Sequence, residues 1–192
     1  MASKKAVVRK MLDAVRAAGR TSLTAPEGKA VCDAYAIPVP QEGLAKTAAE
    51  AAKLATKIGY PVVLKIVSPQ ILHKTEAGGV MVGVKNPADV KKGFAQIMAR
   101  ARKYDRKAEL VGVQVQQMVG GGQEVIIGAV SDPSFGKLVA FGLGGVLVEV
   151  MKDVTFRLAP ASKEDALSML DGIAAAEMLK GVRGSEPVNR AA

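Results

Sequence analysis

With 192 residues, 49% of them hydrophobic, the chain can form one large domain or two small lobes and is too apolar to be disordered. Its net charge of +9, from 27 basic and 18 acidic residues, favours an anionic partner: a nucleotide, coenzyme A or nucleic acid. Scattered basic residues and only 4% aromatics argue against nucleic acid, no apolar run reaches the ~20 residues that span a bilayer, and a single cysteine rules out an intrachain disulfide and fits a reducing cytoplasm.

The elements follow in chain order. Apolar residues at Val7, Val8, Met11, Leu12 and Val15 predict a helix over Lys4–Ala18 that stops at Gly19. The basic start reads as this helix rather than as a transit peptide, since it contains Asp13 and few serines. A capping box, Thr24-x-x-Glu27, opens a second helix with Pro26 in its first turn, running to about Tyr35. Cys32 inside it reads as a small packed residue. Ile37-Pro38-Val39-Pro40 is extended. Thr47-x-x-Glu50 caps a third helix that ends at Gly59.

The short apolar run Pro61–Val67 predicts a buried strand interrupted by Lys65, and a polar, glycine-containing loop over 68–79 precedes a strand at Val80–Val84. Asn86 caps a helix over Pro87–Tyr104. Strands are expected at Val111–Met118, Glu124–Val130, Lys137–Phe141, Val146–Val150 and Val154–Leu158, with a turn at 132–136 and a glycine loop at 142–145. Ser162-x-x-Asp165 opens a last helix, and a further helical segment reaches about Lys180. The pattern is α/β. The triple glycine at 120–122 is the expected hinge, giving a helical leader over 1–22, a first lobe over 23–119 and a second over 120–192.

Four motifs carry chemistry. A lysine within an apolar strand is costly to bury without a partner. Lys65 therefore either meets a phosphate as a point charge or snorkels from an edge strand. The second motif, Ser68–Gly79, holds His73, the one histidine, followed by Gly78 and Gly79. Glycines let a backbone approach a phosphate, and imidazole can form a covalent phosphoryl adduct; the plain alternative is a surface-loop histidine. In the third, Gln116, Gln117, Met118 and Val119 lead to Glu124, as a strand ending at an adenine with a carboxylate for ribose, or simply as an apolar strand and an exposed acid. The fourth, Gly142, Gly144 and Gly145, lacks the spacing of a dinucleotide fingerprint and precedes a strand; it either shapes a phosphate pocket or turns a hairpin.

Taken together, the order Leu64-Lys65, Ser68-Pro69-x-x-x-His73-Lys74-x-x-x-Gly78-Gly79-Val80, Val115-Gln116-x-Met118, Glu124-Val-Ile-Ile-Gly128, Asp132-Pro133-x-Phe135-Gly136, Gly142-x-Gly144-Gly145-x-x-x-Glu149 and Lys152-Asp153-Val154 resembles the ATP-grasp part of NDP-forming acyl-CoA synthetases. Leu23-Thr24, Glu27 and Tyr35-x-Ile37-Pro38 are also similar, so the resemblance covers nearly the whole chain. Succinyl-CoA synthetase β chains are more distant relatives.

The resemblance implies an α/β ATP-grasp fold of two lobes that holds Mg-ATP and reversibly converts acyl-CoA, ADP and phosphate to acid, ATP and CoA. It implies a partner, a CoA-binding α subunit or fused α domain, a small carboxylic acid as substrate, and a hetero- or homo-oligomer, without nucleic acid or membrane. His73 would be the phosphoryl carrier and Lys65 would hold the ATP phosphates under a loop containing Gly78 and Gly79. Gln116, Gln117, Met118 and Val119 would flank adenine, and Glu124 would contact the nucleotide. Family members continue into a helix and a strand with an acidic-x-Asn-Pro motif that supplies metal ligands. This sequence ends at Ser185–Ala192 without it, so a fragment with an incomplete second lobe is expected, and Glu149 is the remaining candidate metal ligand. Two rival functions are a carboxylate ligase that uses free acyl phosphate and a nucleotide-binding regulatory module.

Overall fold

The structure, a computed structural model, describes residues 4–145, 153–181 and 186–190. The chain divides into two compact units, Met1–Val119 and Gly120–Ala192.

The first unit begins with α1 (Lys4–Ala17) and α2 (Ala25–Ala34). Glu27 binds them together. Its carboxylate accepts from the Arg20 guanidinium at 2.6 and 2.9 Å and from the Thr24 amide at 2.7 Å. The Arg20 hydrogen bonds are the main cause that holds the Glu27 carboxyl down to about 2 from an ordinary 4.5. A depressed carboxyl stabilises the fold above its unfolded value and loses that contribution as pH falls through its folded value. Glu27→Gln is therefore expected to flatten the decline in melting temperature between about pH 4.5 and pH 2, relative to wild type, in an acid series of thermal melts.

Next come β1 (Glu42–Ala45), α3 (Ala48–Ile58), β2 (Val62–Val67), β3 (Val80–Val84), α4 (Pro87–Tyr104) and β4 (Gly112–Gln117). The caps form where the sequence places them: Thr47 Oγ1 accepts from the Glu50 amide, and Asn86 Oδ1 from the Asp89 amide. The four strands make one antiparallel sheet in the order β1-β4-β2-β3. Leu64, Ile66, Val113 and Val115 join Ala51, Ala55, Val90 and Ile97 of α3 and α4 in one buried core. Helix α4 approaches closely through Gly93, where a Cβ would meet Leu64 Cδ1 at 2.9 Å.

Strand β1 is absent from the sequence reading, which stops at an extended 37–40 segment. Glu-Gly-Leu-Ala has no β-branched residue, and it becomes a strand by pairing with β4. That pairing depends on Gly112, with φ 151° and an imagined Cβ only 2.3 Å from the Ala45 carbonyl oxygen. No rotamer relieves a clash with backbone. Gly112→Ala is expected to cost about 3 kcal/mol or more, read as a lowered urea midpoint.

The second unit is an antiparallel meander of β5 (Val125–Asp132), β6 (Gly136–Leu143) and β7 (Val154–Leu158), followed by α5 (Lys163–Asp171) and a 3₁₀ helix, Ala176–Lys180. Phe141 and Leu143 of β6 bury against Met169, Ile173 and Leu179. Ser162 and Asp165 cap α5 reciprocally, each side-chain oxygen accepting at 3.0 Å. The glycine loop expected over 142–145 is shorter than read. Gly142 and Leu143 belong to β6, and a Cβ on Gly142 would lie 2.6 Å from the Asp153 carbonyl oxygen. The expected strand Val146–Val150 lies outside the described residues.

Candidate functional site

The first unit's sheet has two unlike faces. Val62, Leu64 and Ile66 point into the core under α3 and α4. The alternate positions carry Lys65, Gln114, Gln116 and Glu42, which the register sets side by side: Gln116 stands opposite Glu42 and Val63, and Gln114 opposite Lys65. β2 lies between β4 and β3, so Lys65 is not an edge-strand lysine.

These four side chains line a cavity of about 260 Å³ with Lys29 and Cys32 of α2, Pro40 and Lys74. Lys65 is half-buried, and its ammonium donates to Gln116 Oε1 at 2.6 Å. Gln116 Nε2 donates to Glu42 Oε2 at 2.5 Å. Burial pushes the Lys65 ammonium below its ordinary value, Glu42 opposes that shift, and Lys74 adds to it. Lys29 pairs with Asp33 at 2.5 Å. Three lysines against one carboxylate make the cavity a place for an anion. A larger groove of about 550 Å³ shares Lys29, Pro40 and Glu42 with it but excludes Lys65.

The 68–79 loop leaves β2 and returns to β3. The Ser68 hydroxyl accepts from the Gln70 and Ile71 amides, and Ile71 and Ala77 are buried in the core. Between those two anchors Leu72, His73, Thr75 and Glu76 are exposed. The His73 side chain is 76% exposed, with Nδ1 3.8 Å from Glu76 Oε1. The cavity walls include Lys74 but not His73. The loop closes on itself: the Ala77, Gly78 and Gly79 amides donate to the carbonyls of His73, Thr75 and Lys74. The Gly78 and Gly79 amides are thus already engaged. Gly79 has a packing reason to be glycine, since a Cβ would sit 2.4 Å from Ile66 Cγ2.

Beyond Gln116, the Gln117 amide donates to the Gln41 carbonyl and the Met118 amide to the Pro61 carbonyl; Met118 and Val119 are exposed. In the second unit, the Glu124 carbonyl accepts from the Gly144 amide at 2.8 Å, and a Cβ on Gly145 would stand 2.8 Å from Glu124 Oε2. Glu124, Gly144 and Gly145 therefore cluster, while Gly142 lies within the sheet. Glu149 is outside the described residues. Among the described residues, no group of three or more His, Cys, Asp or Glu side chains is placed to hold a metal, and no helix is long and apolar enough to cross a membrane. Glu42 and Gln114 are the site residues that sequence reading misses. They come together with Lys65 only through strand register.

The ATP-grasp domain family matches residues 14–192. The chain is 49% identical over 180 residues to the acetate–CoA ligase [ADP-forming] II subunit beta of Pyrococcus furiosus, covering 94% of this chain and 76% of that one. It is 49% identical over 183 residues to the 4-hydroxybutyrate–CoA ligase [ADP-forming] of Nitrosopumilus maritimus, covering 95% of this chain but spanning only 26% of that longer protein. The dinucleotide forming acetyl-coenzyme A synthetase 1 of Ca. Korarchaeum cryptofilum, solved with coenzyme A, Ca-AMPCP and HgCl+, superposes with a TM-score of 0.90 at 44% identity, covering 95% of this chain and 80% of its own. A selenomethionine form of it, with coenzyme A and Mg-AMPPCP, has its phosphohistidine segment pointing towards the nucleotide binding site (TM-score 0.81, 41% identity, 95% and 78% covered). By this match and these identities, the chain belongs to the ATP-grasp family of ADP-forming acetate–CoA ligase beta subunits.

Proposed function

We propose that this chain is the ATP-binding part of an acyl-CoA synthetase that makes ATP reversibly from an acyl-CoA, ADP and phosphate, with His73 as the phosphoryl carrier. The two compact units are the two ATP-grasp lobes. A CoA-binding α part, separate or fused, supplies an acyl phosphate. A ring nitrogen of His73 attacks its phosphorus, the N–P bond forms, and the carboxylate leaves as the free acid. A terminal oxygen of ADP then attacks that phosphorus, the N–P bond breaks, and ATP forms with the imidazole restored. Lys65 and Lys74 hold the nucleotide phosphates. Gln116 to Val119 flank the adenine, Glu124 contacts the ribose, and Gly144 and Gly145 shape the pocket beside it. Gly78 and Gly79 set the turn that carries His73. We place the protein in the cytoplasm, where an unpaired thiol such as Cys32 stays reduced.

The observation that carries this reading is the loop after the Lys65 strand, pinned by Ile71 and Ala77 yet holding its histidine in solvent. A core or structural histidine would be packed. This one is presented. The reading predicts ATP binding to the protein by calorimetry, and ATP formation from acetyl-CoA, ADP and phosphate once a CoA-binding α part is added. ATP binding with no turnover under those conditions would favour a regulatory module instead.

A further inference from the structure

Glu42 lies on a strand that no sequence motif marks, yet it is hydrogen-bonded into the middle of the anion cavity. We propose that Glu42 is a positioning residue of the nucleotide site: acting through Gln116, it aims the Lys65 ammonium that meets the phosphates. This rests on the reading of Lys65 as a phosphate ligand.

Three adjacent strands place the three side chains in a row. Glu42 of β1 is opposite Gln116 of β4, which is opposite Val63 of β2, and Lys65 is the next residue on the same face of β2. The order of donors then fixes the amide. An ammonium only donates and a carboxylate only accepts. The Gln116 amide therefore has one orientation that satisfies both neighbours, with its oxygen on Lys65 and its nitrogen on Glu42. One of three ammonium donors is anchored, and the others remain for a ligand. Gln114 stands directly opposite Lys65, 4% exposed, and lines the same cavity.

The charges in the cavity lead to the same conclusion. The titratable groups facing Lys65 are Glu42 on β1, Lys74 on the 68–79 loop, and Lys29 and Cys32 on α2. Lys29 is engaged by Asp33. Burial and Lys74 both favour a neutral Lys65, and Glu42 counters them. Removing the carboxylate charge should move the loss of the Lys65 proton to lower pH, so the ammonium, and the phosphate affinity that depends on it, disappears earlier as pH rises.

The test compares wild type, Glu42→Gln and Glu42→Asp. Competitive acylation by acetic anhydride across a pH series, read by mass spectrometry, gives the titration midpoint of Lys65 without nucleotide. Calorimetry with ATP and Mg²⁺ gives affinity at neutral and alkaline pH. The Lys65 midpoint is expected to move to lower pH in Glu42→Gln and to stay near wild type in Glu42→Asp, which keeps the charge. A thermal melt near that of wild type in both variants reports an intact fold. ATP affinity in Glu42→Gln should fall away at correspondingly lower pH. An unmoved Lys65 midpoint in Glu42→Gln, with wild type binding ATP, overturns the role of Glu42 alone. A wild type that binds no ATP overturns the nucleotide reading itself.

Discussion

Replacement of His73 by alanine is expected to reduce acyl-CoA-driven ATP formation by about 10³-fold or more, the scale on which loss of a covalent nucleophile is felt, while ATP affinity stays near wild type. The structure makes this a clean experiment. The His73 side chain is 76% exposed, with Nδ1 3.8 Å from Glu76 Oε1. The loop is held by Ser68, Ile71 and Ala77, none of which alanine at 73 disturbs. Exposed substitutions away from such anchors change stability by roughly 0.5 kcal/mol or less. A large loss of turnover would therefore be chemical. A carboxylate ligase that releases free acyl phosphate has no use for the imidazole, and its activity would survive the substitution. The measurement is a coupled assay of ATP made from acetyl-CoA, ADP and phosphate with the α part present.

Lys65→Met is expected to weaken ATP binding by about 10- to 100-fold, corresponding to about 1.5–3 kcal/mol for a hydrogen bond to a charged group. Folding should be retained. The side chain is half-buried in a central strand between Val63 and Val67, and methionine keeps its length and apolar stem. The substitution removes a charge that burial already disfavours. Calorimetry checks the affinity, and a thermal melt checks that the fold persists. Affinity equal to wild type would move the triphosphate away from this cavity.

The relation between sequence and structure differs from element to element. β3 and α4 end where hydrophobic periodicity and the Asn86 cap place them, because burial of Val84, Val90 and Ile97 and a side-chain cap are local signals. β1 is not legible, since its residues have no matching propensity and pairing with β4 decides it, whereas the helical segment expected to reach about Lys180 forms as the 3₁₀ helix Ala176–Lys180. The site divides the same way. Lys65 stands out as a charge in an apolar run, and His73 as a lone imidazole among glycines. Glu42 does not stand out: its partner Gln116 is 74 positions away, and only the β1–β4 register brings them together. Glycines mislead for a related reason. Gly79 and Gly142 look like flexible or phosphate-lining positions, yet each is a place where a Cβ would strike Ile66 or Asp153.

The central claim is that the γ-phosphoryl group of ATP is transferred to His73. The direct measurement is to incubate the whole protein with ATP radiolabelled at the γ-phosphate and Mg²⁺, digest with trypsin, and locate the label. Transfer to His73 would leave acid-labile, base-stable label on the peptide Ile66–Lys74, absent when His73 is alanine. Label on another peptide, or none in protein that binds ATP, would contradict it.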